Sequence, residues 1–157
     1  MGSLTEKEII PVKADAMDLK YEKEFFDWVV STDSYNYFWR DKNYLDEKLL
    51  PFIKKWWYIY IVVPWMKKDC HDNLPKELLL SWTPEQLDYN HDVDYWENII
   101  SASKNCEILS IREMESNEEC WNDRIKCDNE YAQNDKKAID AGACKYLNFI
   151  AIVLRKR

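Results

Sequence analysis

Few residues of this sequence have chemistry to offer. Two histidines, His71 and His91, are its only side chains that titrate unperturbed near neutral pH, and either could accept a proton or ligate a metal. Cys70 adjoins His71, and with His91 further on the three could supply a metal's ligands. Two histidines and a scattered cysteine are usually structural, so no bound metal is expected. The five cysteines (Cys70, Cys106, Cys120, Cys127 and Cys144) are odd in number and lack a CxxC spacing. That pattern predicts reduced thiols in a reducing, cytoplasmic compartment rather than a disulfide framework or zinc ribbon. The remaining polar candidates sit at two strand exits, Ala14–Asp15 and "STDSYNY" from Ser31 to Tyr37. By composition alone, an Asp after a strand is commonly a turn former or helix N-cap, and Ser-Thr-Asp-Ser is an ordinary polar turn.

Those exits acquire meaning from the elements that hold them. "IIPVKAD" (Ile9 to Asp15) is expected to be a short strand ending in an acid. "EFFDWVVSTDS" (Glu24 to Ser34) is a second, with its apolar part at Phe26 to Val30. Asp41 to Lys54 carries Leu45, Leu49, Phe52 and Ile53 on one helical face. Tyr58 to Val63 is aromatic and β-branched without a break, as in a strand covered on both faces, and Pro64 is expected to end it. Residues 66–91 form a polar, irregular insertion in which Thr83, Pro84 and Gln86 make a helix start of N-cap, N1 proline and capping-box partner. Asp92 to Ser103 is an amphipathic helix with Val93, Trp96, Ile99 and Ile100 inward. Cys106 to Glu113 is a strand, and residues 117–141 are one or two acidic helices closed by Gly142. Lys145 to Leu154 is a final apolar strand, antiparallel to its neighbour. Alternation of this kind predicts a single α/β domain with a largely parallel sheet. In such sheets ligands sit beyond the carboxyl ends of strands, where both polar exits lie.

Composition removes several function classes. A net charge of -7 and a pI near 4.9 argue against a nucleic-acid partner, which needs a basic footprint. The apolar run Trp56–Met66 is 11 residues, against roughly 20 for a spanning helix. No membrane association is expected, and "MGSLTEKEII" has no apolar signal-peptide core. Tryptophan occurs eight times and glycine twice, although glycine normally makes up about 7% of a chain and supplies the positive-φ turns.

"PVKADAMDLKYEKEFFDWVVSTDSYNYF", the following helix and "KKWWYIYIVVPW" together resemble the second half of a class I S-adenosylmethionine-dependent methyltransferase. The order of parts matches: a strand ending in Asp-Ala, an "FD" strand, a helix, and a strand introduced by a Gly-Gly turn. "SNEECWNDRIKCDNEYAQNDKKAIDAGACKYLNFIAIVLRK" is similar to the C-terminal end of a small-molecule branch of that family. The resemblance implies a Rossmann-like sheet truncated at its N-terminal side with an antiparallel last strand, S-adenosylmethionine as cofactor, and a small-molecule methyl acceptor. It places Asp15 at the acid that accepts from the adenine amino group and Ala16 at the residue facing the ring. Ser31 to Asp33 match the loop passing the cofactor's methionine end. Tyr35 and the insertion with Trp82 and His91 fall where the family builds its substrate pocket.

Methyl transfer from a sulfonium is an in-line displacement that mainly needs positioning, so no catalytic residue is assigned. His91 would be the base if one is required. Nothing here matches the family's first strand with its Gly-rich loop, or the second strand with its ribose-binding acid. Tryptophans 56 and 57 stand at the Gly-Gly turn and Trp65 at the glycine after proline, while Trp28 and Trp39 fall at small-residue positions. Binding of S-adenosylmethionine is therefore expected to be weak or absent in this chain, with no detectable transfer alone. The alternative expectation is a non-catalytic module of the same fold that covers an exposed sheet edge by self-association or with another chain.

Overall fold

The structure, a computed structural model, describes residues 10–38 and 41–157. Four strands form one sheet: β1 (Phe26–Thr32), β2 (Ile53–Met66), β3 (Cys106–Glu113) and β4 (Leu147–Lys156), in the order β1-β2-β4-β3. Four helices accompany them: α1 (Pro84–Leu87), α2 (Val93–Ser101), α3 (Asn117–Arg124) and α4 (Glu130–Asp140). The mixed α/β sheet and its antiparallel last strand match expectation, and β2 is interior. The sheet is less parallel than the alternation implied, because only β1 and β2 run parallel while β4 is antiparallel to both its neighbours.

The core lies on one face of the sheet. Ile59, Ile61 and Val63 of β2 pair with Leu154, Ile152 and Ile150 of β4, and all six are buried. Trp96, Ile99 and Ile100 of α2 and the apolar residues Leu45, Leu49, Leu50 and Ile53 cover them. A second cluster (Met66, Leu78, Leu87, Trp121, Ala138, Ala143 and Leu147) packs the 66–91 segment against α3 and α4. On the opposite face Trp28 pairs with Tyr58 and Val30 with Tyr60, and Trp28, Val30 and Tyr60 remain exposed.

Three local readings are corrected. Of the expected first strand, Ile9 lies outside the described residues, and residues 10–15 form no strand. A strand exists only where a neighbour supplies its ladder, and no described segment pairs with the outer edge of β1. The helix expected from Asp41 to Lys54 is a π turn (Leu45–Leu49) followed by a 3-10 turn (Leu50–Phe52), with Ile53 already in β2. Pro51 explains the break, since it lacks an N–H to continue the helical pattern. Pro64, finally, does not end β2 but pairs with Phe149. The Val62 carbonyl accepts from Asp33 N–H and Met66 N–H donates to the His91 carbonyl, so the even-numbered residues here face the β1 side. The last β1 pair is Thr32 with Val62, so beyond it a proline leaves no ladder acceptor wanting.

The expected capping box is present: Thr83 accepts from Gln86 N–H while the Gln86 side chain accepts from Thr83 N–H. Gly142 follows α4 with φ 91°, the left-handed turn that favours glycine after a helix. Trp56 has φ 69° inside the bulge that separates the Phe26–Ile53 pair from the Trp28–Tyr58 pair. A bulky residue there is strained by ~1–2 kcal/mol. Trp56 and Trp57 are exposed, whereas Trp65 is buried and Trp39 lies outside the described residues.

Candidate functional site

A cleft of about 750 Å³ opens beyond the carboxyl ends of β1 and β2. The turn after β1 supplies Asp33, Asn36 and Tyr37, and the 66–91 segment supplies Trp82, Gln86, Tyr89 and Asn90. From α3 and α4 come Trp121, Arg124, Asn134 and Asp135, with Pro64 and Phe149 of the sheet beneath. The site is thus aromatic walls around several amides and three charged groups.

Asp33 is held at the mouth by its backbone: its N–H donates to the Val62 carbonyl at 2.8 Å, and its φ of 50° lies in the left-handed region that aspartate tolerates better than most residues. Burial pushes its carboxyl above the usual range; the Arg124 charge opposes that rise, and the Asp135 charge reinforces it. Burial likewise raises the Tyr37 hydroxyl, with the nearby Asp33 charge adding to it. Asp135 is 9% exposed and doubly held. Arg124 Nε donates to its Oδ2 at 3.0 Å and Trp82 Nε1 to its Oδ1 at 3.1 Å. Ser81 locks the same corner, its Oγ donating to the Asn134 carbonyl at 2.6 Å and accepting from Ala138 N–H at 2.9 Å. The arrangement offers acceptors and ring faces to a polar or cationic small molecule.

Of the residues singled out in the sequence, the structure brings Asp33 and Trp82 together in the cleft. Tyr35 does not line it: the ring is 3% exposed in the core beside Tyr44 and Trp96, and Tyr37 two residues on takes the cleft position. Ser31 is half-buried, its Oγ 3.0 Å from that of Ser34. Asp15 lies in an exposed turn whose Met17 N–H donates to its Oδ1 at 2.9 Å, and the Ala16 carbonyl accepts from the Tyr44 hydroxyl at 3.1 Å. The loop at Asp15 is therefore anchored through a core tyrosine while its carboxylate keeps one oxygen outside that turn bond. His91 lies apart from the cleft lining, stacked on Tyr95 at 3.8 Å and beside His71 and Asp69. Cys70 turns away toward Met66, its Sγ 3.5 Å from Sδ. All five cysteines are unpaired.

Sequence reasoning missed Tyr37, Arg124 and Asp135. Asp135 had a usable signal: Ala132, Asp135 and Ala138 recur every third residue along α4, and all three are buried. An acid in a stripe of small inward residues demands partners, here Arg124 and Trp82.

Neither a protein-family model nor a curated protein sequence matches this chain. Solved structures do. A geranyl diphosphate C-methyltransferase from Streptomyces coelicolor A3(2), in complex with Mg2+, geranyl diphosphate and S-adenosyl-L-homocysteine, superposes with a TM-score of 0.63 at 11% identity, over 92% of this chain and 52% of its own. Phosphoethanolamine N-methyltransferase 2 of Haemonchus contortus, in complex with S-adenosyl-L-methionine, gives 0.62 at 16% identity, over 90% of this chain and 36% of its own. The [4+2]-cyclase SpnF gives 0.57 at 16% identity, over 91% and 54% respectively. The chain therefore has the Rossmann-like fold of class I S-adenosylmethionine-dependent methyltransferases. It spans about half the length of these solved structures or less, and a cyclase among them shows that the fold admits more than one chemistry.

Proposed function

We propose that this chain is an S-adenosylmethionine-dependent methyltransferase, or a fragment of one, acting on a small molecule. The observation that carries the reading is the cleft: it lies beyond the carboxyl ends of the parallel pair β1–β2, and Asp33, Tyr37, Trp82 and Asp135 converge on it. In this reading the Asp15–Ala16 turn receives the adenine, and Ser31 to Asp33 pass the methionine end of the cofactor. The methyl acceptor lies between the aromatic walls, and the residue segment 66–91 is the substrate-side insertion. Tyr89 and Tyr131 extend the same lining and would position the acceptor rather than react.

This chain's own residues would hold the cofactor weakly. Its two glycines are Gly2 and Gly142, and Gly142 follows α4, so no Gly-rich strand–helix turn is encoded within these residues. A hydrogen bond to the Asp15 carboxylate contributes ~1.5–3 kcal/mol and a neutral one at the Ser31–Asp33 turn ~0.5–1.5 kcal/mol, and each ~1.4 kcal/mol is tenfold in affinity. Calorimetric titration with S-adenosylhomocysteine tests this: a dissociation constant near millimolar is expected. A low-micromolar constant abolished by Asp15→Ala would show that the chain builds a complete cofactor site.

A second reading has its own support. Trp28, Val30 and Tyr60 leave an apolar sheet face exposed, and β1 and β3 are edge strands. A non-catalytic module of this fold would cover them by self-association or with another chain. Sedimentation equilibrium distinguishes the readings: that module forms a dimer whose dissociation follows Trp28→Ser, whereas the first reading predicts a monomer.

A further inference from the structure

A second constellation of ligating groups lies outside the cleft. The sequence contains two histidines, and the fold brings both to one place at the base of the 66–91 segment. Asp69, His71 and His91 each offer one ligand atom, all within 4.8 Å of one another. Asp69 Oδ1 is 2.8 Å from His71 Nδ1, and Asp69 Oδ2 is 3.8 Å from His91 Nδ1. Ligands held ~2.0–2.2 Å from a tetrahedral ion stand roughly 3.3–3.6 Å apart. The two observed separations bracket that range, so small side-chain rotations admit an ion.

The surrounding contacts already orient these side chains. His71 Nε2 lies 3.1 Å from the Leu87 carbonyl. An Nε2–H donating there is the usual outer contact of a metal-bound histidine, and it leaves Nδ1 facing the Asp69 carboxylate, where only a shared cation satisfies both: the Nδ1 proton in the metal-free chain, or a metal ion that displaces it. The His91 ring lies flat on Tyr95, with an interplanar angle of 11°. Backbone bonds fix both loops: Asp69 N–H donates to Asp92 Oδ2 at 3.3 Å, and Met66 N–H to the His91 carbonyl at 3.4 Å. The histidine side chains are mostly buried, while that of Asp69 is 46% exposed. The carboxylate side is thus open to an arriving ion and to water as a further ligand.

The geometry points to a divalent transition-metal site formed by Asp69, His71 and His91. Two imidazoles and one carboxylate suit zinc, cobalt or nickel; magnesium and calcium prefer oxygen ligands throughout. The site's place in the fold gives the ion a structural task. The stretch from Asp69 to His91 carries Trp82, Gln86, Tyr89 and Asn90 into the cleft wall, and the ion closes that stretch at its base. The inference stands independently of whether the cleft transfers methyl groups.

The test is titration of the metal-free, reduced chain with zinc chloride, read by the ring-proton resonances of its two histidines. At one equivalent both are expected to shift together, with a dissociation constant in the micromolar range or tighter, and the unfolding midpoint is expected to rise with zinc concentration. Asp69→Asn and His91→Ala should each weaken binding by about tenfold or more. Cobalt should give a spectrum free of thiolate charge-transfer bands. Zinc uptake that leaves the histidine resonances unmoved, cobalt bands from thiolate, or no binding up to millimolar zinc would each overturn the assignment. The histidine signals are read in the unaltered chain, so a variant that fails to fold does not blunt the test.

Discussion

At the scale of single residues, backbone sign and burial decide what each side chain can do. Trp56 is 64% exposed at φ 69°, so its ring contributes little burial while its backbone is strained. Trp56→Gly is therefore expected to stabilise the chain by ~1 kcal/mol, raising the thermal midpoint by about 2–4 °C; scanning calorimetry checks it. The sequence foreshadowed this position, since tryptophan there replaces an expected turn glycine. It could not show that Trp65, at another such position, would be buried. Asp33 gives a pH-dependent outcome. Its carboxyl is raised above the ordinary 3.8, so the native state holds the proton more tightly than the unfolded one. The stability it contributes is complete below pH 3.8 and is lost as pH rises through the raised value. Asp33→Asn, which keeps a residue tolerant of left-handed backbone, should match the native chain in acid and exceed it at neutral pH. Urea unfolding at pH 3 and pH 7 reads the difference.

At the scale of elements, legibility followed the range of the interaction. The capping box at Thr83–Gln86 and the Gly142 stop depend on residues a few positions apart, and both could be read directly. The non-strand conformation of residues 10–15 and the continuation of β2 through Pro64 depend on which strands neighbour which, and pairing is not written locally. The choice between Tyr35 and Tyr37 rests on the phase of the three-residue 3-10 turn Tyr35–Tyr37, which periodicity cannot fix. Pro51 is a local helix breaker inside the apolar periodicity of Leu45, Leu49 and Phe52, and the chain obeys the proline. Helix α4 carries Asp135 into the cleft. Its N-cap is Asn129, whose Oδ1 accepts from Ala132 N–H at 2.9 Å. Asn129→Ala should cost ~1 kcal/mol, measured by urea unfolding, and Gly142→Ala a similar amount. No atom lies within 4 Å of the added methyl, so the second cost is backbone strain alone.

At the scale of the whole molecule, one sheet face builds the main core and the carboxyl ends of β1 and β2 build the cleft, while the opposite face is covered at its Met66–Leu147 end and open at Trp28, Val30 and Tyr60. Among the described residues no helix is long and apolar enough to cross a membrane. Under the proposed reading, the Asp15–Ala16 turn and the Ser31–Asp33 turn after β1 carry the cofactor contacts, and Asp33 also lines the cleft. Titration of the 15N-labelled chain with S-adenosylhomocysteine into the millimolar range, read by amide chemical shifts, tests it most directly. Fast-exchange shifts are expected at Asp15, Ala16 and Ser31 to Asp33, approaching saturation only at millimolar ligand. Shifts confined to other regions, or none at these amides, would contradict it.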